Sequence, residues 1–167
     1  SAGASFRDEL AIEGPTYSDR TGLPSTLPSL DIRYELIAAS NTYAFYGLVT
    51  IYDGAKVLGV YDTHIFRSKA LRPDMVDWTA DFVVLPEKPV AMHLLGGRLM
   101  VWTAGRLLMF DEDLRLLEEL PGLGVVDIRH VAAVGQAVVW FSGGSLWFYD
   151  GATLLNVGRG IEQAASP

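Results

Sequence analysis

Three carboxylates grouped around one tryptophan are the residues in this sequence whose types and spacing best suit chemistry. Asp74, Asp77 and Asp81 lie close to Trp78 along the chain. Paired carboxylates act as acid and base in glycosidases, and an indole ring stacks on the face of a sugar. We therefore take Asp74, Asp77 and Trp78 as candidate ligand or partner contacts. Trp147, which is predicted to face outward from a strand, is a fourth candidate.

The remaining polar motifs indicate no further site. His64, His93 and His130 lack the spacing of metal-ligand motifs, so we interpret them as structural histidines and predict no metal site. Gly122-Leu123-Gly124 lacks the third glycine of a dinucleotide-binding loop, and neither a G-x-S-x-G elbow nor a Walker A motif occurs. The chain also has no cysteine nucleophile or thiolate ligand, because it contains 0 Cys. We predict no catalytic residue, no cofactor and no enzymatic activity.

Composition excludes two classes of partner and favours a third. The 167 residues carry a net charge of −7, which argues against binding along a nucleic-acid backbone. Arg98 and Arg106 interrupt the most apolar stretch, so no membrane span is predicted. Mean hydropathy is nevertheless +0.23, and half of the residues (50%) are hydrophobic. We expect this apolar excess to serve a sheet core and an interface with protein partners in a homo- or hetero-oligomer.

The clearest structural element is the stretch from Arg129 to Arg159, which predicts four short strands in succession. Glycine-containing breaks separate runs of β-branched and aromatic residues, and Asp150-Gly151 is a strong hairpin signal. Four antiparallel strands of this length are typical of one blade of a β-propeller. The predicted strands are Arg129–Val134, Ala137–Phe141, Ser145–Tyr149 and Thr153–Val157.

Two earlier segments share this pattern of apolar runs separated by small turns, which predicts a repeat. In each of the three, a glycine stands five residues before an aromatic residue that precedes an aspartate. Aspartate in a hairpin turn accepts hydrogen bonds from backbone N–H groups two residues on, so we assign these aspartates a structural role. The segments are Ile37–Gly54, Met92–Asp111 and Val131–Asp150, with the aspartates Asp53, Asp111 and Asp150.

The spacing of the repeat is uneven. Asp111 and Asp150 are 150 − 111 = 39 residues apart, but Asp53 and Asp111 are 111 − 53 = 58 apart. We interpret the surplus, residues 64–86, as strands at 64–67 and 80–85 flanking an irregular loop. The best helix candidate, residues 112–120, is short.

The prediction is thus an all-β fold with a β-propeller-like repeat of four-stranded antiparallel blades. About three blades plus a half-blade give an incomplete ring, so either the chain is a piece of a longer protein or partner subunits supply the missing blades. Residues 31–162 form this domain. They follow an extended N-terminal arm at residues 1–30, which contains Pro, Gly and Ser, and precede a C-terminal tail at residues 163–167. The arm shows none of the basic and apolar regions of a signal peptide.

Several motifs resemble, in the same order, a pattern of tailed-bacteriophage virion proteins. In that pattern a strand with Ser-Lys-Ala-x-x-Pro and a tryptophan precedes a glycine-rich hairpin. The sequence departs from it at residues 74–78, where the pattern has His-Ala-Trp. The motifs are Phe66–Pro73, Trp78, Val90–Met92 and Leu95–Thr103, continued by Pro121–Val126, Arg129–Val131 and Leu146–Gly151.

The resemblance covers about residues 34–162. It implies a β-propeller in the tail, neck or nozzle region of the virion, with a structural role and no catalytic residues to transfer. The leading hypothesis is therefore a structural virion protein of the tail or head-to-tail assembly that acts through protein–protein contacts with other virion proteins or copies of itself. The alternative is a carbohydrate- or receptor-binding propeller module. A propeller hydrolase has only the three aspartates near Trp78 in its favour.

Overall fold

The structure, a computed structural model, describes residues 30–77 and 80–157, and the elements bounded within these residues are β-strands and one 3₁₀ turn. The fold class is all-β, of the β-propeller-like type predicted. The chain divides into two compact units between Lys88 and Pro89. The strands of the first unit are β1 (Leu30–Arg33), β2 (Leu36–Ala39), β3 (Ala44–Asp53), β4 (Lys56–Lys69), β5 (Arg72–Val76) and β6 (Phe82–Val84).

The second unit consists of two four-stranded antiparallel sheets in which the strands follow chain order. One is β7–β10 and the other is β11–β14. This is the blade topology that the repeat predicts, and the predicted strand at Ser145–Tyr149 matches residue for residue. The strands are β7 (Pro89–Leu95), β8 (Arg98–Thr103), β9 (Arg106–Phe110), β10 (Leu116–Pro121), β11 (Val131–Val134), β12 (Ala137–Ser142), β13 (Ser145–Tyr149) and β14 (Leu154–Asn156).

The first unit contains a six-stranded sheet that is only four strands wide. Both β1 and β2 pair with β3, whereas β5 and β6 both pair with β4. The 58-residue interval of the repeat therefore contains no separate half-blade. The surplus residues instead lengthen β4 to 14 residues and split the sheet edge into two short strands.

The glycine of the first repeat segment does not have the role of its counterparts. Gly105 and Gly144 lie in the β8–β9 and β12–β13 turns, but Gly47 is buried within β3. A Cβ atom at Gly47 would lie 3.2 Å from the Ile65 side chain and 3.3 Å from that of Leu36. Close packing between strands explains this glycine, so its spacing from Tyr52 is not a turn signal.

The turn role of two of the three aspartates is confirmed. Asp111 Oδ1 accepts hydrogen bonds from the backbone N–H groups of Asp113 and Arg115, both at 2.9 Å. Asp150 Oδ1 accepts from Ala152 at 2.9 Å and from Thr153 at 2.7 Å. These bonds to its charged form lower the pKa of the Asp150 carboxyl.

The helix candidate at residues 112–120 is wrong. Residues 111–115 form a turn, and β10 then pairs with β9 from Leu116 to Pro121. Pairing with β9 gives the segment backbone hydrogen bonds to a neighbouring strand, and this tertiary pairing outweighs the helix propensity of Leu and Glu. The strand predicted from Arg129 begins later, since residues 128–130 form the 3₁₀ turn capped by Asp127.

The core of the second unit lies between its two sheets. Trp102 of β8 and Trp140 of β12 are both 0% exposed, and their rings meet edge to face with centroids 5.4 Å apart. Arg98 of β8 also donates a hydrogen bond to the Tyr149 hydroxyl of β13 at 3.1 Å. The matching positions of the two tryptophans in the repeat thus mark core packing between adjacent sheets, as predicted.

A loop from Pro121 to Val125 is held against the β8–β9 turn. The Val125 N–H donates to the Thr103 carbonyl at 2.9 Å, and the Gly122 N–H donates to the Gly105 carbonyl at 2.9 Å. Gly124 lies so close to this turn that a Cβ atom there would be 2.3 Å from the Thr103 oxygen. The loop contains Gly122-Leu123-Gly124, and close packing accounts for the second glycine of this motif.

Gly124→Ala should destabilise the protein by about 3 kcal/mol, because the added methyl group would collide with backbone that cannot rotate away. Gly143→Ala is the matched control: Gly143 has φ +60 but open space around its Cβ position. Its cost should be about 1–2 kcal/mol from the left-handed backbone alone. Urea denaturation followed by tryptophan fluorescence measures both, and equal losses would contradict this account.

Candidate interaction site

Of the predicted contact residues, Asp74 lies in a small polar and aromatic cluster of the first unit. Asp74 lies on β5 two residues after Arg72, and the Arg72 Nε atom is 3.3 Å from the Asp74 Oδ1 atom. Nearby, the Tyr46 hydroxyl donates a hydrogen bond to the Pro73 carbonyl, and the Tyr34 ring lies 4.8 Å from the Tyr46 ring. Burial, with Tyr34 and Asp74 adding negative charge, raises the pKa of Tyr46 to about 12. The carboxylate is therefore paired and its tyrosine neighbour is neutral at pH 7.

The other two aspartates, Asp77 and Asp81, lie after β5 in a turn and in an ion pair. The Asp77 carbonyl accepts hydrogen bonds from the N–H groups of Ala80 and Asp81, at 3.2 and 2.9 Å. The Asp81 carboxylate lies 2.9 Å from Lys69 Nζ and 3.6 Å from Arg67 Nη2. These interactions are those of a turn and an ion pair on the sheet, and the contact predicted at Trp78 lies outside the described residues.

Trp147 does not face outward as predicted. It is half-buried and packs against the core of the second unit, beside Trp140 in the sheet register. Asp74 and Asp77 belong to the first unit. Trp147 belongs to the second unit.

The largest feature that sequence reasoning missed is one face of the β11–β14 sheet, which we call the outer face. Register places eight side chains on it, opposite the face that carries Trp140. All eight are apolar, and Val134, Phe141 and Leu155 are 58%, 55% and 47% exposed. The eight residues are Ala132, Val134, Ala137, Val139, Phe141, Leu146, Phe148 and Leu155.

The neighbouring β7–β10 sheet shows what is unusual about this face. That sheet is also apolar on both sides, with Trp102 and Met100 on one side and Leu99 and Val101 on the other, and all four side chains are 0% exposed. Antiparallel sheets with one solvated face normally alternate apolar and polar residues. The outer face lacks that alternation, yet several of its apolar side chains are exposed to solvent. It is an apolar patch of the kind that marks a protein contact.

A signal for this face is present in the sequence. Residues 137–141 (Ala-Val-Val-Trp-Phe) and 146–149 (Leu-Trp-Phe-Tyr) are continuous apolar runs without alternation. Such runs indicate strands that are buried on both faces. The composition and turns of these runs predict a blade, but the apolar character of its second face was not predicted.

The histidines have structural surroundings. The His64 ring stacks on Phe66 with centroids 5.6 Å apart and lies 5.2 Å from Phe82. Burial lowers the pKa of His64, and it also lowers the pKa of His93 on β7. Within residues 30–77 and 80–157, His, Asp and Glu form no group of three that could hold a metal ion.

Comparison with known proteins gives similarity to solved structures only. No family model and no curated protein matches the sequence. A crystal structure of BBS1N in complex with ARL6DN is 12% identical, with 76% of this chain and 38% of that chain covered and a TM-score of 0.41. The crystal structure of HIRA(644-1017) is 11% identical, with 75% of this chain and 38% of that chain covered and a TM-score of 0.38. The crystal structure of BamB from Moraxella catarrhalis is 11% identical, with 72% of this chain and 63% of that chain covered and a TM-score of 0.25.

The chain thus spans 38% of the length of the first of these structures, and BBS1 and HIRA are β-propeller proteins. In the part of the chain that the structure describes, no helix has the length and apolar character needed to cross a membrane.

The lowered histidine pKa values predict a pH dependence of stability. The folded state binds protons at His64 and His93 less readily than the unfolded state does, whose histidines titrate near pH 6.5. The free energy of unfolding should therefore be highest above about pH 7 and fall as the pH drops through about 6.5 towards the folded-state pKa values.

Urea denaturation at pH 7.5 and 5.5 measures this loss. The double variant H64Q/H93Q should show a smaller difference between the two pH values. His130, which is exposed on the 3₁₀ turn, provides the control H130Q. An unchanged pH difference in the double variant, or its disappearance in H130Q, would contradict the assignment.

Proposed function

We propose that this chain is a structural protein of a tailed-bacteriophage virion, part of the tail or head-to-tail (neck) assembly, and that it acts through protein–protein contacts. The observation that carries the protein-binding part is the outer face of the β11–β14 sheet, where eight apolar side chains form a surface without a polar residue. A face of this composition is stabilised when another protein removes it from water.

The virion part of the proposal rests on the sequence pattern shared with phage tail and neck proteins. One residue of that pattern has a clear local role. Ser68 in Ser-Lys-Ala is 0% exposed, and its hydroxyl accepts a hydrogen bond from the Ala44 N–H at 2.9 Å and donates one to the Lys69 carbonyl at 3.1 Å. The motif thus serves the pairing of β3 with β4. This is the behaviour expected of a scaffold motif rather than of a reactive site.

Locating the chain in particles tests this function. Phage particles are purified by density-gradient centrifugation from cultures that express the gene, and their proteins are identified by mass spectrometry. The chain should be present in intact particles, and gold-labelled antibodies raised against it should mark the tail or the neck. An expressed chain that is absent from the particles would overturn the proposal.

A carbohydrate-binding module is the second candidate, favoured by the cluster around Asp74. The Tyr34 ring is 46% exposed beside Tyr46, and the Arg72–Asp74 pair supplies polar groups next to an aromatic surface. Exposed aromatic rings with adjacent charged groups are suited to stacking on a sugar and hydrogen bonding to its hydroxyls.

A glycan array with the purified chain separates this candidate from the first. If sugars bind at this cluster, Tyr34→Ala should reduce the signal at least tenfold, whereas Tyr43→Ala, which removes a half-buried tyrosine outside the cluster, should leave it unchanged. Absence of any signal with the folded chain would dismiss the candidate.

A further inference from the structure

We propose that protonation of His64 opens the contact between the edge strand β6 and β4, so that the first unit loosens locally at mildly acidic pH. This switch is a property of the sheet itself and operates independently of the functions proposed above. It depends on three features: the surroundings of the His64 ring, the absence of an acceptor for its second proton and the short pairing that holds β6.

The His64 ring belongs to an aromatic cluster that joins β4 to β6. It stacks on the Phe66 ring with centroids 5.6 Å apart, meets the Tyr61 ring edge to face at 5.3 Å and lies 5.2 Å from the Phe82 ring of β6. The sheet register places His64 opposite Val84 of β6. The two strands are therefore joined here by ring packing, which suits the neutral form of the imidazole.

Protonation changes what this position requires. In the charged form both ring nitrogens carry a proton. The Nδ1 atom of His64 is buried and has no hydrogen-bond partner among the described residues, so a proton there would be a buried donor without an acceptor. Such a donor has lost its hydrogen bond to water, which destabilises the closed pairing. Rotation of the ring into water restores that hydrogen bond but removes the ring from Phe82.

The titratable groups around His64 do not reverse this preference. Asp62, two residues earlier on β4, favours the charged form, but burial outweighs it and lowers the pKa of His64. Tyr61, also titratable, contacts the imidazole with its ring. The residues that face His64 from β6 and β3, Phe82–Val84 and Gly47–Val49, have no ionisable side chain. The closed pairing therefore favours neutral His64.

Strand β6 is the part of the sheet that this change can release. It is three residues long and pairs with three residues of β4. Two hydrogen bonds flank it: the Leu85 N–H donates to the Thr63 carbonyl at 2.7 Å, and the Arg67 N–H donates to the Asp81 carbonyl at 2.9 Å. The Asp81 carboxylate is already paired with Lys69. Short edge segments held by few hydrogen bonds open more readily than central strands.

Proton linkage limits the size of the effect. An exposed histidine titrates near pH 6.5, so lowering the pH from 7.5 to 5.5 raises the equilibrium constant for opening by at most about tenfold. The full factor applies when the closed state does not bind the proton at all. We expect opening to increase about three- to tenfold as the pH falls over this range.

Amide hydrogen exchange of the full chain, measured by NMR at pH 7.5 and 5.5, tests the proposal. The reporters are the Arg67 and Leu85 amides, because each donates a hydrogen bond between β4 and the β6 segment. After correction for the intrinsic pH dependence of exchange, their protection factors should be about three- to tenfold lower at pH 5.5. At both pH values they should also lie at least tenfold below those of the hydrogen-bonded amides of β3, because the opening is local.

Three variants assign the change to His64. His64→Phe keeps an aromatic ring but cannot titrate, so the reporter amides should have the same protection at both pH values. His64→Gln repeats the test with a different side chain. His93→Gln is the matched control, since burial lowers the pKa of His93 as well but His93 lies on β7 of the other unit. It should leave the pH dependence of the reporter amides unchanged.

Each outcome bears on the proposal. Protection of Arg67 and Leu85 that does not change with pH in the wild type, or a change that persists in either folded His64 variant, would overturn it. Reporter amides as well protected as those of β3 would show that β6 does not open by itself, which would equally overturn it. Loss of the pH dependence in the His64 variants, with the His93 variant behaving as the wild type, would support it.

Discussion

The contact between Trp102 and Trp140 is the interaction on which the second unit depends. Each ring lies in the middle strands of its own four-stranded sheet, and both are removed from water entirely. Their indole N–H groups have no hydrogen-bond acceptor among the described residues, so apolar packing with each other and with the surrounding core holds them. A buried tryptophan contributes several kcal/mol through its apolar area. This contact places one face of the β11–β14 sheet in the core, whereas Val134, Phe141 and Leu155 on the other face remain exposed.

A sheet that is apolar on both faces requires a cover on each. The β7–β10 sheet satisfies this requirement, since Leu99 and Val101 on one side and Met100 and Trp102 on the other are buried. The β11–β14 sheet satisfies it on one side only. The protein-binding function that we propose derives from this imbalance.

The first unit is also an antiparallel sheet, but its strands pair differently from those of the second unit. Its long β3–β4 hairpin is flanked on each side by two short strands in place of one, which keeps the sheet four strands wide. The buried Ser68 hydroxyl joins β4 to the start of β3, and the Asp81 carboxylate holds Lys69 near the other edge. The charged and tyrosine side chains at this edge are therefore largely occupied in structural pairs. This is why the aspartates near Trp78 do not form a pair of free carboxylates.

The sequence by itself determined the class of the fold and much of its local structure. Turn chemistry and apolar texture predicted four antiparallel strands in the last repeat, and the turn roles of Asp111 and Asp150 follow from side-chain bonds to nearby backbone. These features depend on residues close in sequence. Tertiary structure decided what depends on distant partners: the strand at Leu116–Pro121, the burial of Gly47 and the inward packing of Trp147. It also decided which apolar face stays exposed, because only the stacking of the sheets selects the face that enters the core.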